Sequence, residues 1–186
     1  MTSILALWLA ILASAVLVFL ASSVIHMASP WHKSDYPKSP REAAVLDALR
    51  PVALPPGDYM MPRPTNMAEM KSPEFIERIT RGPVVLMTVF PNGPTQMGGT
   101  FVQWFLYLLV VGIVAAYVAA TALPPAALSG SVFRIVFATA FAAYALGLWQ
   151  LSIWYRRSWS ITAKSTVDAV IYAAITAGTF VWLWPR

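Results

Sequence analysis

A chain of 186 residues in which 58% of the side chains are hydrophobic and only 11% are charged departs from the roughly 25% charged content of soluble domains, so lipid is expected to be its main solvent. The formal charge of +5 invites a nucleic-acid reading, but the polar stretch from Lys33 to Arg81 holds eight basic and seven acidic side chains. It offers no basic groove, and nucleic acid is not expected as a partner. The lack of cysteine excludes disulfides, thiolate-ligated zinc, iron–sulfur clusters, thiol catalysis and lipidation at Cys.

Fifteen of the 21 charged residues fall between Lys33 and Arg81, which divides the chain into membrane and aqueous parts. A hydrocarbon core of roughly 30 Å needs about 20 apolar residues in helix. In chain order the first such run is Ile4 to Val24. A signal peptide is the alternative for it, since Ala21, Ser22 and Ser23 follow the apolar run. However, Met1-Thr2-Ser3 carries no basic n-region and the run exceeds the usual length of about 7–15 residues, so an uncleaved helix is the expectation. Its Leu, Ile, Val and Ala content offers few small-residue faces and predicts a peripheral position.

The polar loop, residues 26–100, follows. Ser39-Pro40 precedes Arg41 to Leu49, and Ser72-Pro73 precedes Glu74 to Ile79. Serine at an N-cap with proline at the first helical position is a helix start signal, because the hydroxyl takes an orphan N–H and proline has none. Glu42 would complete a capping box in the first case, and Gly82 is placed to end the second helix. Each helix is followed by proline and an apolar run. The β-branched Val84 to Phe90 reads as a strand, with Asp58-Tyr59-Met60-Met61 as its partner. The turn-rich Pro91 to Gly99 leads back to the membrane.

Three further spans complete the chain: about Phe101 to Leu123, Val132 to Tyr155, and Val167 to Trp184. Membrane helices associate through close packing at small residues. Gly112, Ala116 and Ala120 offer such a face on the second span, Ala138 with Ala142 and Ala143 with Gly147 on the third, and Ala173 with Ala177 and Ala174 with Gly178 on the fourth. The expected fold is therefore an all-α membrane protein: transmembrane helix 1 (residues 1–25), a small α+β polar loop (26–100) with two short helices and a two-stranded ribbon, and a three-helix transmembrane bundle (101–186).

Parity places the loop and the link between spans three and four on one side. That link carries Arg156, Arg157 and Lys164, whereas Pro124 to Ser131 is uncharged, so the positive-inside rule puts the loop in the cytoplasm and both termini outside. Loss of the first span would instead leave three spans and an external loop. Trp104, Trp154 and Trp159 would mark the inner interface, and Trp8, Trp182 and Trp184 the outer one.

Few residues suggest chemistry. His26 and His32, with Met27 and the loop methionines Met60, Met61, Met67, Met70 and Met97, sketch a soft-metal site for Cu(I), although methionines as packing residues explain most of them. A two-histidine haem would need both rings at one cavity, and only His26 lies near a span end. Asp168 is the one acidic residue in the membrane segments. Intramembrane carboxylates are functional by default when deep, but in the first turn of the fourth span it would act as a cap or an ion-pair partner of Arg156 or Arg157. Gln103 and Gln150 lie near the same rim, and Arg134 can snorkel at the other. No catalytic residue, cofactor or intramembrane pathway is indicated.

The runs Gln103 to Tyr107, Trp149 to Trp159 and Thr176 to Pro185, together with His32 to Tyr36, Pro55 to Tyr59 and Gly82-Pro83, resemble a family of small bacterial four-span integral membrane proteins of no known function. The resemblance covers most of the chain and implies a bacterial inner-membrane address, without activity or site residues. The functional expectation is a non-enzymatic accessory or scaffolding component of a membrane complex, with the bilayer and other membrane subunits as partners. A metal-handling protein or membrane enzyme using His26, His32 and the methionines is the alternative, and a small transporter subunit a third.

Overall fold

The computed structural model describes residues 2–185 and contains four helices long and apolar enough to cross a membrane, together with a two-stranded sheet. Residues 1–37 and 96–186 form one compact unit, and residues 38–95 form another.

In the first unit, α1 (Ile4–Ala28), α5 (Gly98–Ala122), α6 (Ser129–Tyr155) and α7 (Trp159–Trp182) pack cyclically. Helix α1 contacts α5 and α7, α5 contacts α6, and α6 contacts α7. The bundle therefore has four members, not three plus a peripheral first helix. Leu7, Ala10, Ala15 and Val18 of α1 are buried because their partners are small. Gly112 comes so close that a Cβ there would stand 3.2 Å from the Ile11 side chain, and Ala115, Ala116, Ala119 and Ala120 continue this face. Ala173 and Ala177 of α7 are likewise buried. Ala138, Ala142, Ala143 and Gly147 of α6 remain exposed, so the small-residue surface predicted for the third span is not consumed within the chain.

Leucine, isoleucine, valine and aromatic side chains cover the outside of the helices, among them Leu9, Leu12, Leu20, Val110, Ile113 and Tyr117. Trp8, Trp154, Trp159 and Trp182 are also exposed, as interface anchors should be. Two predicted anchors differ. Trp184 is buried and its indole N–H donates to the Pro124 carbonyl at 3.3 Å, while Trp104 turns inward and donates to Ser22 Oγ at 2.9 Å. A hydrogen-bonding partner inside the bundle satisfies an indole N–H that the belt position would leave to water or headgroups.

The second unit contains α2 (Glu42–Leu49), β1 (Gly57–Met61), the single turn α3 (Met67–Met70), α4 (Pro73–Arg81) and β2 (Val85–Val89). The strands pair antiparallel with Gly57 opposite Val89 and Met61 opposite Val85, as the sequence predicts. Ser72 caps α4 by accepting the Phe75 N–H at 3.1 Å, and Gly82 ends it at φ +59°. The parallel expectation at Ser39 fails. Arg41 takes a non-helical conformation before α2, and Ser39 Oγ receives the Arg41 N–H at a long 3.4 Å. The unpredicted α3 is capped by Asn66, and Glu69 reaches back to the N–H and hydroxyl of Thr65 at 2.7 and 2.6 Å. With Arg78 also beside it, these donors hold the Glu69 carboxyl down at about 2.

The close approach of α1 and α5 yields a direct test. Gly112→Leu should lower the thermal midpoint in detergent by the equivalent of about 1–3 kcal/mol, the usual cost of overpacking, and Ile11→Ala in the same chain should recover part of it. Equal midpoints for Gly112→Leu and the native protein would show that the two helices do not meet there.

Candidate functional site

The polar site of the first unit is built where α1 ends. Helix α1 finishes in a π-helical turn, Val24–Ala28, with the Ser29 N–H bonded to the Val24 carbonyl at 3.0 Å. Such single turns are rare and recur at functional sites, because the extra residue displaces side chains from the regular helical register. This one carries His26. Beyond it the chain turns back on itself: Ser29 Oγ donates to the Ile25 carbonyl at 2.6 Å, and the Lys33 and Asp35 N–H groups reach the Pro30 and His32 carbonyls at 3.1 and 3.0 Å. The outcome is a stack of the two histidines, with ring centroids 4.3 Å apart and planes 20° apart.

Helix α7 supplies the facing groups. Lys164, Asp168 and Tyr172 recur at intervals of four and so share one helix face. Asp168 accepts from Trp31 Nε1 at 3.1 Å through one oxygen and faces His32 Nε2 at 2.9 Å with the other. The second ring nitrogen of His32, Nδ1, lies 2.7 Å from Asp35 Oδ2. Lys164 Nζ donates to the other Asp35 oxygen at 2.7 Å, to Ser34 Oγ at 2.8 Å and to the Trp31 carbonyl at 2.8 Å. It also lies 5.6 Å from the centre of the Trp31 ring. Both carboxylates are nearly sealed from solvent, with Asp35 7% and Asp168 5% exposed at the side chain.

The partners determine the chemistry. The hydrogen bond from Lys164 is the largest of several contacts that hold the Asp35 carboxyl below its ordinary range, and the hydrogen bond from His32 adds to it. An ionised carboxylate only accepts, so the proton between Asp35 and His32 belongs to Nδ1. That leaves Nε2 either to donate to Asp168 or, as a bare lone pair, to bind an electrophile.

An open-sided cavity of about 350 Å³ adjoins the cluster, lined by the polar His26, Ser165 and Asp168 and by the aromatic Trp104, Tyr107, Tyr144 and Tyr172, with Leu148 and Ala169. The Trp104 and Tyr107 rings stack at 5.3 Å, while Trp104 and Tyr144 meet Tyr172 edge-on at 6.3 and 5.7 Å. Tyr144 stands on a second π-helical turn, Ala142–Leu146, so both π-helical turns among the described residues contribute to the cavity. The Tyr172 hydroxyl lies 3.3 Å from His26 Nε2.

The structure therefore joins His26 and His32, which the sequence proposed together, and brings Asp168 to them; Met27 is 65% exposed. Because α7 begins at Trp159 and not near Val167, Asp168 lies well inside the helix and not in its first turn. Among the described residues it pairs with neither Arg156 nor Arg157. Its partners come from the segment after α1. Gln103 and Gln150 are exposed and lie outside this cluster. The sequence reading did not assign site roles to Trp31, Asp35 and Tyr172, and it placed Lys164 in a basic link. Two patterns carried the missing signal: Trp31-His32-x-x-Asp35 within one turn, and the four-residue spacing of Lys164, Asp168 and Tyr172.

Four apolar helices of spanning length around a partnered histidine–carboxylate site define the class, a multi-pass membrane protein with a polar site between its helices. Comparison with protein-family models, curated proteins and solved structures found no match to this chain.

The Lys164–Asp35 contact predicts a pH dependence. A carboxyl depressed by folding adds stability above its ordinary value of about 3.9, and that contribution is lost as the pH falls through the depressed value. Lys164→Met should therefore lower the thermal midpoint most at neutral pH, with the gap to the native protein narrowing below about pH 4 as Asp35 is protonated in both. Parallel midpoint curves from pH 7 to pH 2 would contradict the assignment.

Proposed function

We propose that this is a non-enzymatic accessory component of the bacterial inner membrane that works by binding a ligand at the His26–His32–Asp168 cluster and its aromatic cavity. The observation that carries the reading is the placement of ionisable groups. Burying charges in a membrane bundle is costly unless each is partnered, and such residues mark ligand or ion sites. Here the exposed His26 and the buried Asp168 both border the cavity, so a buried carboxylate meets space that a ligand can enter. Their position at the loop-proximal end of the bundle makes the site accessible from the membrane boundary. By the charge bias of Arg156, Arg157 and Lys164, that boundary is the cytoplasmic one, with the termini outside and α1 retained.

A scaffolding role alongside this one is favoured by the exposed Ala138, Ala142, Ala143 and Gly147 of α6, since small residues admit the close approach of another membrane helix.

Native mass spectrometry of protein extracted in mild detergent should detect a retained small ligand or a membrane partner, with the ligand lost from Leu148→Trp, which fills the cavity. A bare monomer from both proteins would contradict the proposal. In the same cells, Asn66→Cys should resist a membrane-impermeant thiol reagent until the membrane is opened. Labelling from outside would reverse the orientation.

A further inference from the structure

We infer that the cluster of His26, His32 and Asp168 is a binding site for a divalent first-row transition-metal ion of the zinc class. The inference rests on the reading of this cluster as the ligand site and specifies its ligand.

The donor set comes first. One ligand atom from each of His26, His32 and Asp168 lies within 4.8 Å of the other two. Two imidazoles and one carboxylate, without sulfur, suit zinc, cobalt and the neighbouring divalent ions better than Cu(I), which prefers thiolate and thioether. Met27 is 65% exposed, and no methionine lines the adjoining cavity.

The supporting contacts are those a metal site needs. A ligating histidine ordinarily donates its other N–H to a carboxylate, which fixes the tautomer and aims the free nitrogen. His32 does this through Nδ1 to Asp35 at 2.7 Å, and Asp35 is itself held by Lys164 at 2.7 Å. A ligating carboxylate is likewise steadied through its second oxygen, and Trp31 Nε1 occupies Asp168 Oδ1 at 3.1 Å. His32 Nε2 and Asp168 Oδ2 therefore face each other with their orientations already set, 2.9 Å apart. Ligands about 2.0–2.2 Å from a shared ion stand slightly farther apart than this, so the pair opens by a few tenths of an ångström.

His26 distinguishes this inference from a purely structural latch. Trp31, His32, Ser34 and Asp35 already tie the segment after α1 to α7, and His26 adds only its stack on His32 and a 3.3 Å contact with the Tyr172 hydroxyl. Its ring lies over His32 with the planes 20° apart, an arrangement in which one ion cannot lie in both ring planes. Binding therefore requires His26 to turn about its side-chain bonds, and its position beside the cavity leaves space for that rotation. Charge points the same way. Asp35 and Asp168 against Lys164 leave one net negative charge for a cation when the imidazoles are neutral. Three protein ligands also leave a coordination position unfilled by the protein, on the side where His26 and Asp168 border the cavity.

The test uses the full-length protein in detergent or nanodiscs, stripped with a chelator and titrated with Zn²⁺ alone and with Co²⁺ alone. Native protein should bind about one ion per chain, raise its thermal midpoint on binding, and give the visible absorption of Co²⁺ in a low-symmetry nitrogen and oxygen environment. His26→Gln should lose binding and the Co²⁺ spectrum while lowering the metal-free midpoint far less than loss of Asp168 would, because it removes only a ring stack and a long contact with Tyr172. Asp35→Asn should weaken binding about 10–100-fold, and Met27→Leu should leave it unchanged. If His32→Gln or Asp168→Asn fails to fold, His26→Gln still decides the question. Absence of stoichiometric uptake by the native protein, or uptake unaltered by His26→Gln, would overturn the inference. A ligand retained in native mass spectrometry without such uptake would overturn it while leaving the site reading intact.

Discussion

A carboxylate well inside a helix of membrane-spanning length must be given partners, and the architecture of this protein around Asp168 follows from how it obtains them. On the helix itself Lys164, Ser165 and Tyr172 share the face of Asp168. The remaining donors come from the segment after α1, which turns back so that Trp31 and His32 each meet one oxygen of Asp168. His32 then needs an acceptor for its other nitrogen, and Asp35 supplies it; Asp35 needs a counter-charge, and Lys164 provides it, one turn before Asp168 on the same helix. Each group completes the next. The circuit offsets the desolvation of both carboxylates, which would go uncompensated, at a cost of about 3–5 kcal/mol, if one partner of a buried pair were removed.

That circuit explains why α1 is an integral member of the bundle. Its end must arrive beside α7 for the returning segment to reach Asp168, and Leu7, Ala10, Ala15 and Val18 are packed along the way. Close packing at Gly112 and the alanines of α5 sets α1 against its other neighbour. The two π-helical turns carry residues of the site, one His26 and the other Tyr144. Local irregularity, site geometry and cavity are thus parts of one arrangement.

Much of the fold was legible in the sequence because bilayer thickness and hydrogen-bonding chemistry act locally. Apolar length gave the spans, β-branching gave the ribbon, and Ser72 with Gly82 bounded α4. Where these local signals competed they failed: Ser39 resembles Ser72 in context, yet Arg41 leaves the helical conformation and the cap is not made. The start of α7 was missed because Ser160, Thr162, Lys164, Ser165 and Thr166 lower the hydropathy of its first turns. Several of those residues are polar for interhelical bonds, such as Ser152 to Thr162 at 2.6 Å and Trp149 to Thr166 at 3.1 Å. That boundary error moved Asp168 to the wrong depth, which made Arg156 and Arg157 its natural partners. His26 and His32 were legible as candidates. Their meeting with a residue more than a hundred positions away depends on a chain reversal that no local pattern specifies.

The central claim is that His32 and Asp168 interact directly, joining the segment after α1 to α7. A double-mutant cycle of thermal stability on His32→Gln and Asp168→Asn measures this interaction alone. The account predicts a coupling of about 0.5–3 kcal/mol, the range found for residues that share one hydrogen-bonded network. Additivity to within about 0.3–0.5 kcal/mol, the behaviour of distant sites, would contradict it.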